Sequence, residues 1–569
     1  MRILFLPALL LASVLIPPSA NSQTLHEGYL DHARLTSALN DLKKAHPNVV
    51  HLSTIGMSRE GRPIALVQLS QRHDNDAQQL TRPAILLIAG ADARHRMGTE
   101  LAIRATEQFL LNHQDTLEEV DILVIPQLNP DGAEHAVGIN GGGTRRVVDA
   151  DRDGLLDEDP PLDLNGDGLI THMRILEPTI DEPATHLADP AENRLNISPK
   201  TSEGERATFR VMLEGIDADN DGRFGEDGHG EVLLDRNFMH LWKEHDPAAG
   251  PYPLSEPEAR ALADFVIANP RIVAAVVYGP NDSVISIPDT KPRDSTGRVP
   301  ALLHPEDKAM QESFNALYKE TTGQTRSSNS PSEGSIHGWL YAHRGIPTIA
   351  TTGWGRPDPS PLPAAEKDEE GEQESQEPAN ETPTPRNGED AGWLAYSDRD
   401  RDGAGFVAWE DFLHPQLGKV QIGGFTPGFM ANPPIEVIET LAPGHARLLQ
   451  ELASRRARVE IDGPVVEEVS PGLYRVDVAL RNEGQLPTLT AMGKQSRAVR
   501  PISIRLEMDI NRIHDGQRVN LLRGLGPHGQ RHQQRWLIRP GEEEVRLVID
   551  DPANGVRTIP LDFTQGADQ

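Results

Sequence analysis

The chain has 569 residues, long enough for about two to four domains and a large core. Its formal net charge of −31 sets 86 Asp and Glu against 55 Lys and Arg, which excludes nucleic acid as a partner and suits a protein that meets cations, calcium first. Cysteine is absent, so neither lipid attachment through a thiol nor disulfide stapling is open to it.

The first 22 residues read as a cleavable export signal. Arg2 supplies the positive start, an apolar run follows, and small residues end near Ser22. Pro17 and Pro18 close that run before the roughly 20 apolar residues of a membrane span. The expectation is a secreted or periplasmic protein with no stable span after cleavage. From 24 to about 138, helical spacing in "LTSALNDLKKAHP" and "TELAIRATEQFLLNH" alternates with the strand-like runs "IALVQLS", "AILLIAG" and "DILVIPQLNP". Such alternation predicts an α/β sheet with helices on both faces.

Periodicity stops between 140 and 230, where Asp and Gly take over, and returns at "RIVAAVVYG" and "GIPTIATTGW". An acidic, Pro-rich stretch over 356–392 reads as a disordered loop, and the helix in "NPPIEVIETLAPGHARLLQELASRR" falls within 393–455. The tail from 456 to 569 holds period-two runs such as "YRVDVAL" and "EVRLVID" and reads as a small β-sandwich.

Four acidic stretches share a D-x-[DN]-x-D-G core. They are Asp149–Asp151–Asp153 with Asp157 and Asp159 beyond, Asp163–Asn165–Asp167, Asp217–Asp219–Asp221, and Asp398–Asp400–Asp402. Oxygens at positions 1, 3 and 5 converge on one cation, and Gly at 6 permits the sharp turn. Calcium is the cation expected, in a structural role. None has Glu at position 12, and Glu410 falls one residue late in the fourth.

Several motifs stand in a telling order: "IGMSREGRPI", "LIAGADARHRMGTE", "NPDG", "LLDRNF", "GPYPLSEPEARALADF" and "GSIHGWLYAHRGIPTI". Their order resembles that of the zinc carboxypeptidase family, of the carboxypeptidase A/B type, over about 25–355 and onward through the late helix. The resemblance implies a mixed central sheet flanked by helices. It also implies a zinc held by H-x-x-E and a distant His, a catalytic Glu, and an Asn-Arg pair gripping the substrate carboxylate.

At those positions the chain departs from the family. Asp92 stands at the first ligand position and His95 at the second, a reversed pair of types that can both ligate zinc. After "IVAAVVY" comes Tyr278-Gly279-Pro280, with no His. Thr352 takes the place of the Glu, and threonine is no general base at neutral pH without help. In the clamp, Asp235 replaces Asn and Arg236 matches. His337, His343 and His414 lie on segments that could supply a displaced ligand, although a packing histidine is the commoner role.

Three readings stay open. The first is a calcium-stabilised pseudopeptidase binding a peptide or cell-wall fragment in the old cleft. The second is an active metallocarboxypeptidase or amidase with a rearranged zinc site using Asp92 and His95. The third is an extracellular calcium-dependent adhesion or scaffold protein.

Overall fold

A computed structural model describes residues 28–563 apart from 72–81, 136–141, 149–159, 180–182, 219–221, 223, 226–231, 328–329, 331, 362–384 and 498. The export segment, the first acidic stretch, Asp219 and Asp221 therefore lie outside the described residues.

The described chain opens on α1 (His32–Ala45), which buries Leu35, Leu39 and Leu42 at helical spacing and is capped by Asp31, accepting from Arg34 N–H at 2.7 Å. Then come β1 (Val50–Met57), β2 (Pro63–Leu69), β3 (Ala84–Ile88), α2 (Arg96–Asn112), β4 (Asp121–Ile125) and the short α3 (Pro130–His135). Four short strands follow: β5 (His172–Ile175), β6 (Leu187–Ala188), β7 (Asn196–Ile197) and β8 (Arg210–Leu213). After them the chain runs through α4 (Pro257–Ala268), β9 (Ile272–Tyr278), α5 (Lys308–Thr322), α6 (Ile336–Ala342) and β10 (Thr348–Thr351). The series continues with α7 (Gly388–Asp400), β11 (Phe406–His414), β12 (Gly418–Phe425) and α8 (Ile435–Arg455).

The central sheet has the strand order β1-β2-β4-β3-β9-β10. β1, β2 and β4 pair antiparallel, whereas β4, β3, β9 and β10 run parallel. Parallel strands sit covered on both faces, so β3 reads as a continuous apolar run rather than an alternating one. Successive side chains still point to opposite faces. Ile85 and Leu87 join Phe109 of α2, Phe314 of α5 and Leu449 of α8, while Leu86 and Ile88 join Leu262 of α4 and Trp339 of α6. The sheet is mixed and flanked by helices on both sides, the α/β arrangement expected from the alternating pattern. Because β3, β9 and β10 are parallel neighbours, the residues that follow Ile88, Tyr278 and Thr351 emerge at one edge of the sheet.

The aperiodic insertion is more structured than its sequence suggests. β5 and β8 pair with β12 and β11 in an antiparallel sheet of order β11-β12-β5-β8. Two strands of four residues each are too short to show a period; β8 pairs with β5, and β5 in turn with β12, about 250 residues away.

The fourth acidic stretch is not a turn. Asp398 and Asp400 occupy the end of α7, and positions two apart on a helix face nearly opposite ways. Asp398 meets the Arg194 guanidinium at 2.8 Å, and Asp400 accepts from Ser360, while Asp402 alone takes a left-handed conformation (φ 51°). Glu410 lies on β11. In this arrangement the three carboxylates do not converge on one point.

After α8 the chain forms β13 (Val459–Ser470), β14 (Leu473–Asn482), α9 (Ala491–Ser496), β15 (Ile502–Glu507) and β16 (Ile513–Asp515). β17 (Val519–Leu522), β18 (Gln530–Ile538), β19 (Arg546–Asp551) and β20 (Gly555–Pro560) complete it. Two four-stranded sheets, β13-β14-β18-β16 and β17-β15-β19-β20, share one core of Val476, Ile504, Trp536, Leu547 and their neighbours.

Candidate functional site

The site is assembled where β3, β9 and β10 end. Asp92 and His95 lie on the turn between β3 and α2, both buried. Asp92 does not face an open cavity. Its carboxylate accepts from Arg94 N–H at 2.9 Å, from Arg94 Nε at 3.1 Å and from Arg94 Nη2 at 2.8 Å. A guanidinium forked onto a carboxylate is a strong, charge-assisted pair. Asp92 in turn pushes the Arg94 pKa up. Gly142 closes over the pair: a Cβ there would lie 2.6 Å from Asp92 Oδ1. The strap is held by Ala93 N–H to Gly142 O at 3.0 Å and by Asn129 Nδ2 to Gly143 O at 2.8 Å.

His95 sits at the start of α2 with Nε2 3.1 Å from Thr352 O. A carbonyl accepts only, so Nε2 carries the proton and the lone pair lies on Nδ1. Nδ1 is buried without a hydrogen-bond partner and packs against Gly98, where a Cβ would come within 2.9 Å. Burial holds the imidazole neutral by lowering its pKa.

Tyr278, at the third-ligand position, donates from its hydroxyl to His445 Nδ1 at 2.9 Å, and His445 Nε2 donates to Gly353 O at 3.1 Å. Burial pushes the His445 pKa down to about 4, which keeps it the neutral bridge these two bonds require. Sequence reading missed His445; its signal was a histidine on the apolar face of α8, among Leu441, Leu448 and Leu449. Thr352 donates from Oγ1 to Trp354 O at 2.7 Å and meets Ser327 Oγ at 2.9 Å. Its hydroxyl belongs to the turn and does not act as a base.

Asp235 is buried and accepts from Ile336 N–H at 2.8 Å and from Asn281 Nδ2. Burial, with Asp92's charge adding to it, pushes its pKa up to about 7. Asn281, which sequence reading also missed, leaves its Oδ1 buried and unpartnered. Arg236 is not free for a substrate carboxylate, because Nη1 pairs with Asp246 Oδ2 at 3.1 Å with its side chain 29% exposed.

None of the three histidines reaches the site as a ligand. His414 Nδ1 accepts from Gln416 N–H and Leu417 N–H at 3.1 and 3.2 Å, and Nε2 donates to Gly215 O at 2.9 Å. It is the organiser of a turn. His343 stacks edge-on against His240, and His337 borders a cavity of about 120 Å³ that His240, Asp282 and Tyr341 also line.

The motifs that survived do scaffold work. Asp131 of "NPDG" accepts from Ser58 Oγ at 2.6 Å, Glu60 N–H at 2.8 Å and Arg62 Nη1 at 2.7 Å, tying that turn to "SREGR". Fully buried Glu256 gathers Arg59 at 2.7 Å, Arg146 at 2.6 Å and Thr144 at 2.7 Å. Both are buried carboxylates satisfied by several donors, the arrangement that makes such groups tolerable.

The family model described as zinc carboxypeptidase matches residues 35–152 and 218–374. These residues are a zinc carboxypeptidase domain. A second family, described only as a domain of unknown function, matches 458–561, the span of the two C-terminal sheets. A zinc carboxypeptidase of Saccharothrix mutabilis subsp. capreolus is 27% identical over 129 residues, 21% of this chain and 29% of that protein. Carboxypeptidase E of Caenorhabditis elegans is 30% identical over 117 residues, 19% of this chain and 24% of that one. An inactive metallocarboxypeptidase ecm14 of Talaromyces marneffei is 27% identical over 92 residues, 15% of this chain and 16% of that protein. The chain thus spans less than a third of each of these relatives. The solved structure of thrombin activatable fibrinolysis inhibitor aligns with 59% of this chain and 69% of its own at 16% identity, with a TM-score of 0.34.

Zinc in such a domain needs three ligands with lone pairs converging on an open position. The carboxypeptidase domain of this chain does not fit that requirement. Arg94 occupies the Asp92 carboxylate, His95 turns Nε2 to a backbone carbonyl, and Tyr278 bonds to His445. Among the described residues no three His, Asp or Glu side chains are grouped to hold a metal ion.

Proposed function

We propose that this protein is a non-hydrolytic member of the zinc carboxypeptidase family, exported and braced by calcium, whose old cleft binds a peptide or cell-wall fragment. The observation that carries this reading is the Arg94 fork on Asp92: a cation of the chain itself sits on the carboxylate at the first ligand position. The asymmetry between scaffold and site supports it, since the Asp131 and Glu256 networks are complete while every metal, base and clamp position has changed partners. A relative carrying the word inactive in its name fits the same reading. In this reading Arg236 must leave Asp246 before it can meet a ligand carboxylate.

The test is metal stoichiometry by mass spectrometry on protein purified in zinc and calcium, beside the Asp92→Ala/His95→Ala double variant. Zinc well below one per chain in both is the expected result. One zinc per chain in the wild type, absent from the variant, would overturn the reading and turn attention to release of C-terminal residues.

In this reading calcium is held at the second acidic turn by Asp163 and Asp167 together with backbone and water oxygens, since among the described residues no three carboxylates are grouped there. Asp163 accepts from Gly166 N–H at 2.7 Å and Gly168 N–H at 2.8 Å, winding the turn, and Asp167 accepts from Leu169 N–H at 2.8 Å. Glu214 lies beneath, accepting from Leu164 N–H at 2.7 Å, with its pKa raised by burial and by the Asp163 charge. A cation there would relieve that crowding of negative charge. Binding to the folded form alone stabilises by about 2.7 kcal/mol at a hundredfold excess over the dissociation constant. The thermal midpoint should therefore rise on adding millimolar calcium after chelation; a midpoint indifferent to both would remove calcium from the account. The shared core of the C-terminal sheets supports reading them as a β-sandwich.

A further inference from the structure

The carboxypeptidase domain and the C-terminal sheets meet at a fixed junction. Thr490 N–H donates to Gly345 O at 3.0 Å, and Thr490 Oγ1 donates to Tyr341 O at 3.1 Å. The backbones of Gly345 and Gly493 pass so close that neither could carry a Cβ without striking the other segment. Beside this junction lies a cleft of about 310 Å³, walled by the start of β9 and the turn after α6 on one side, and by α9, β15, β17 and the turn after β19 on the other. That volume is at the lower end of ligand pockets, about 300–1,000 Å³, and domain junctions are where such pockets collect.

Its lining is of two kinds. Ile272, Val273, Leu489, Ile502 and Leu522 make apolar walls. The charged groups are almost all cations: Arg344, Lys494, Arg497, Arg500 and Arg523, against the single carboxylate of Asp551. Asp551 is turned inward, accepting from Ala553 N–H at 2.9 Å and Asn554 Nδ2 at 2.8 Å, and Arg500 is neutralised by Asp550 at 3.1 Å. Lys494, Arg497 and Arg523 have no acidic partner among the described residues. In a chain of net charge −31, three unpaired cations on one apolar cleft are a marked local reversal. The backbone is shaped for it. Arg497 holds a left-handed φ of 56°, a conformation that costs a side-chain-bearing residue free energy and persists where the surroundings impose it. Gly524, at φ 127°, leaves room for the Lys494 stem, whose Cε would lie 3.1 Å from a Cβ there.

We propose that this cleft binds an amphipathic organic anion, an apolar chain headed by a phosphate or a carboxylate. The head would lie among Lys494, Arg497 and Arg523 and the chain along the apolar walls, away from the peptidase-like cleft.

Calorimetric titration of the full chain tests it with dodecyl phosphate and dodecanoate, each below its micelle concentration, and with inorganic phosphate and dodecyl maltoside as the head and the tail alone. The expected result is one dodecyl phosphate or dodecanoate per chain, with binding weakened in high salt and about tenfold or more weaker in Lys494→Glu/Arg523→Glu. The preferred head is the one of the two that binds more tightly. A milder pair, Lys494→Met/Arg523→Gln, keeps the side-chain stems and decides the matter if the first variant does not fold. Equal affinity for inorganic phosphate, equal affinity for dodecyl maltoside, or undiminished binding by a folded variant would each overturn the proposal.

Discussion

Asp235→Asn is expected to raise the thermal midpoint at pH 8 by several degrees and by progressively less as pH falls toward 4. The folded Asp235 carboxyl has its pKa at about 7, first through burial, against about 3.9 in an unfolded chain. Between these two values the folded state holds a proton that the unfolded state has released, so stability falls as pH rises through that window. Above pH 7 the cost is complete, on the order of 2–4 kcal/mol. An amide of the same shape has nothing to titrate. Its Oδ1 can keep the bond from Ile336 N–H, and its new N–H group can meet the unpartnered Asn281 Oδ1 after a flip of that amide. Glu258, buried and raised to about 7 by burial first and then by Asp131 and Glu256, titrates in the same window and in the same direction. The variant should therefore remove the Asp235 share of the pH dependence between about 4 and 7, leaving that of Glu258 and the opposing one of the buried His240, His337 and His445, each lowered to about 4. Midpoints by calorimetry across pH 5–8 check it; parallel curves for wild type and variant would mean that Asp235 is ionised in the folded protein throughout.

Asp307→Ala is expected to cost about 3 kcal/mol or more and to uncouple the C-terminal sheets from the carboxypeptidase domain. Asp307, 5% exposed, precedes α5, yet it caps a helix of the other module. Its carboxylate accepts from Ala491 N–H at 2.9 Å and Met492 N–H at 3.2 Å, the first turn of α9, and from the Tyr341 hydroxyl at 2.6 Å. Helix termini leave N–H groups that the helix itself cannot satisfy, and here a residue 184 positions away answers two of them. Alanine would leave those N–H groups without partners and the phenol with only the His304 N–H from which it accepts at 3.0 Å. The expected readout is a single thermal transition splitting in two, with the C-terminal sheets the first to yield to protease. A midpoint within one degree of wild type would show that the junction stands on its other contacts.

The two variants bear on different levels of the same molecule. Asp235 concerns a carboxyl sealed from solvent between Ile336 N–H and Asn281. Asp307 concerns how a module of separate family origin was attached to the domain beside the proposed anion cleft.

Much of this protein was written locally. Helical spacing in α1, α2 and α8 and the apolar runs of β2, β3, β4 and β9 placed the elements, because each is long enough for its period to show. Ordered turns such as "SREGR" and "NPDG" identified the family, since Gly and Asp at set positions are demanded by the turn itself. That Asp92, His95 and Thr352 stand where the resemblance would put a His, a Glu and a catalytic Glu was equally plain, as residue identity needs no geometry. What surrounds them was decided only by tertiary structure. That Arg94 forks onto Asp92, that Tyr278 reaches His445 across 167 residues, and that Asn281 faces Asp235 depend on three strand ends meeting at one sheet edge. The fourth acidic stretch teaches the same lesson in reverse: Asp398, Asp400 and Asp402 have the spacing of a cation loop, but α7 extends through the first two and turns them apart. Spacing along a chain states which side chains are available; the path of the backbone determines which of them converge, and that path is set by burial and by partners hundreds of residues away.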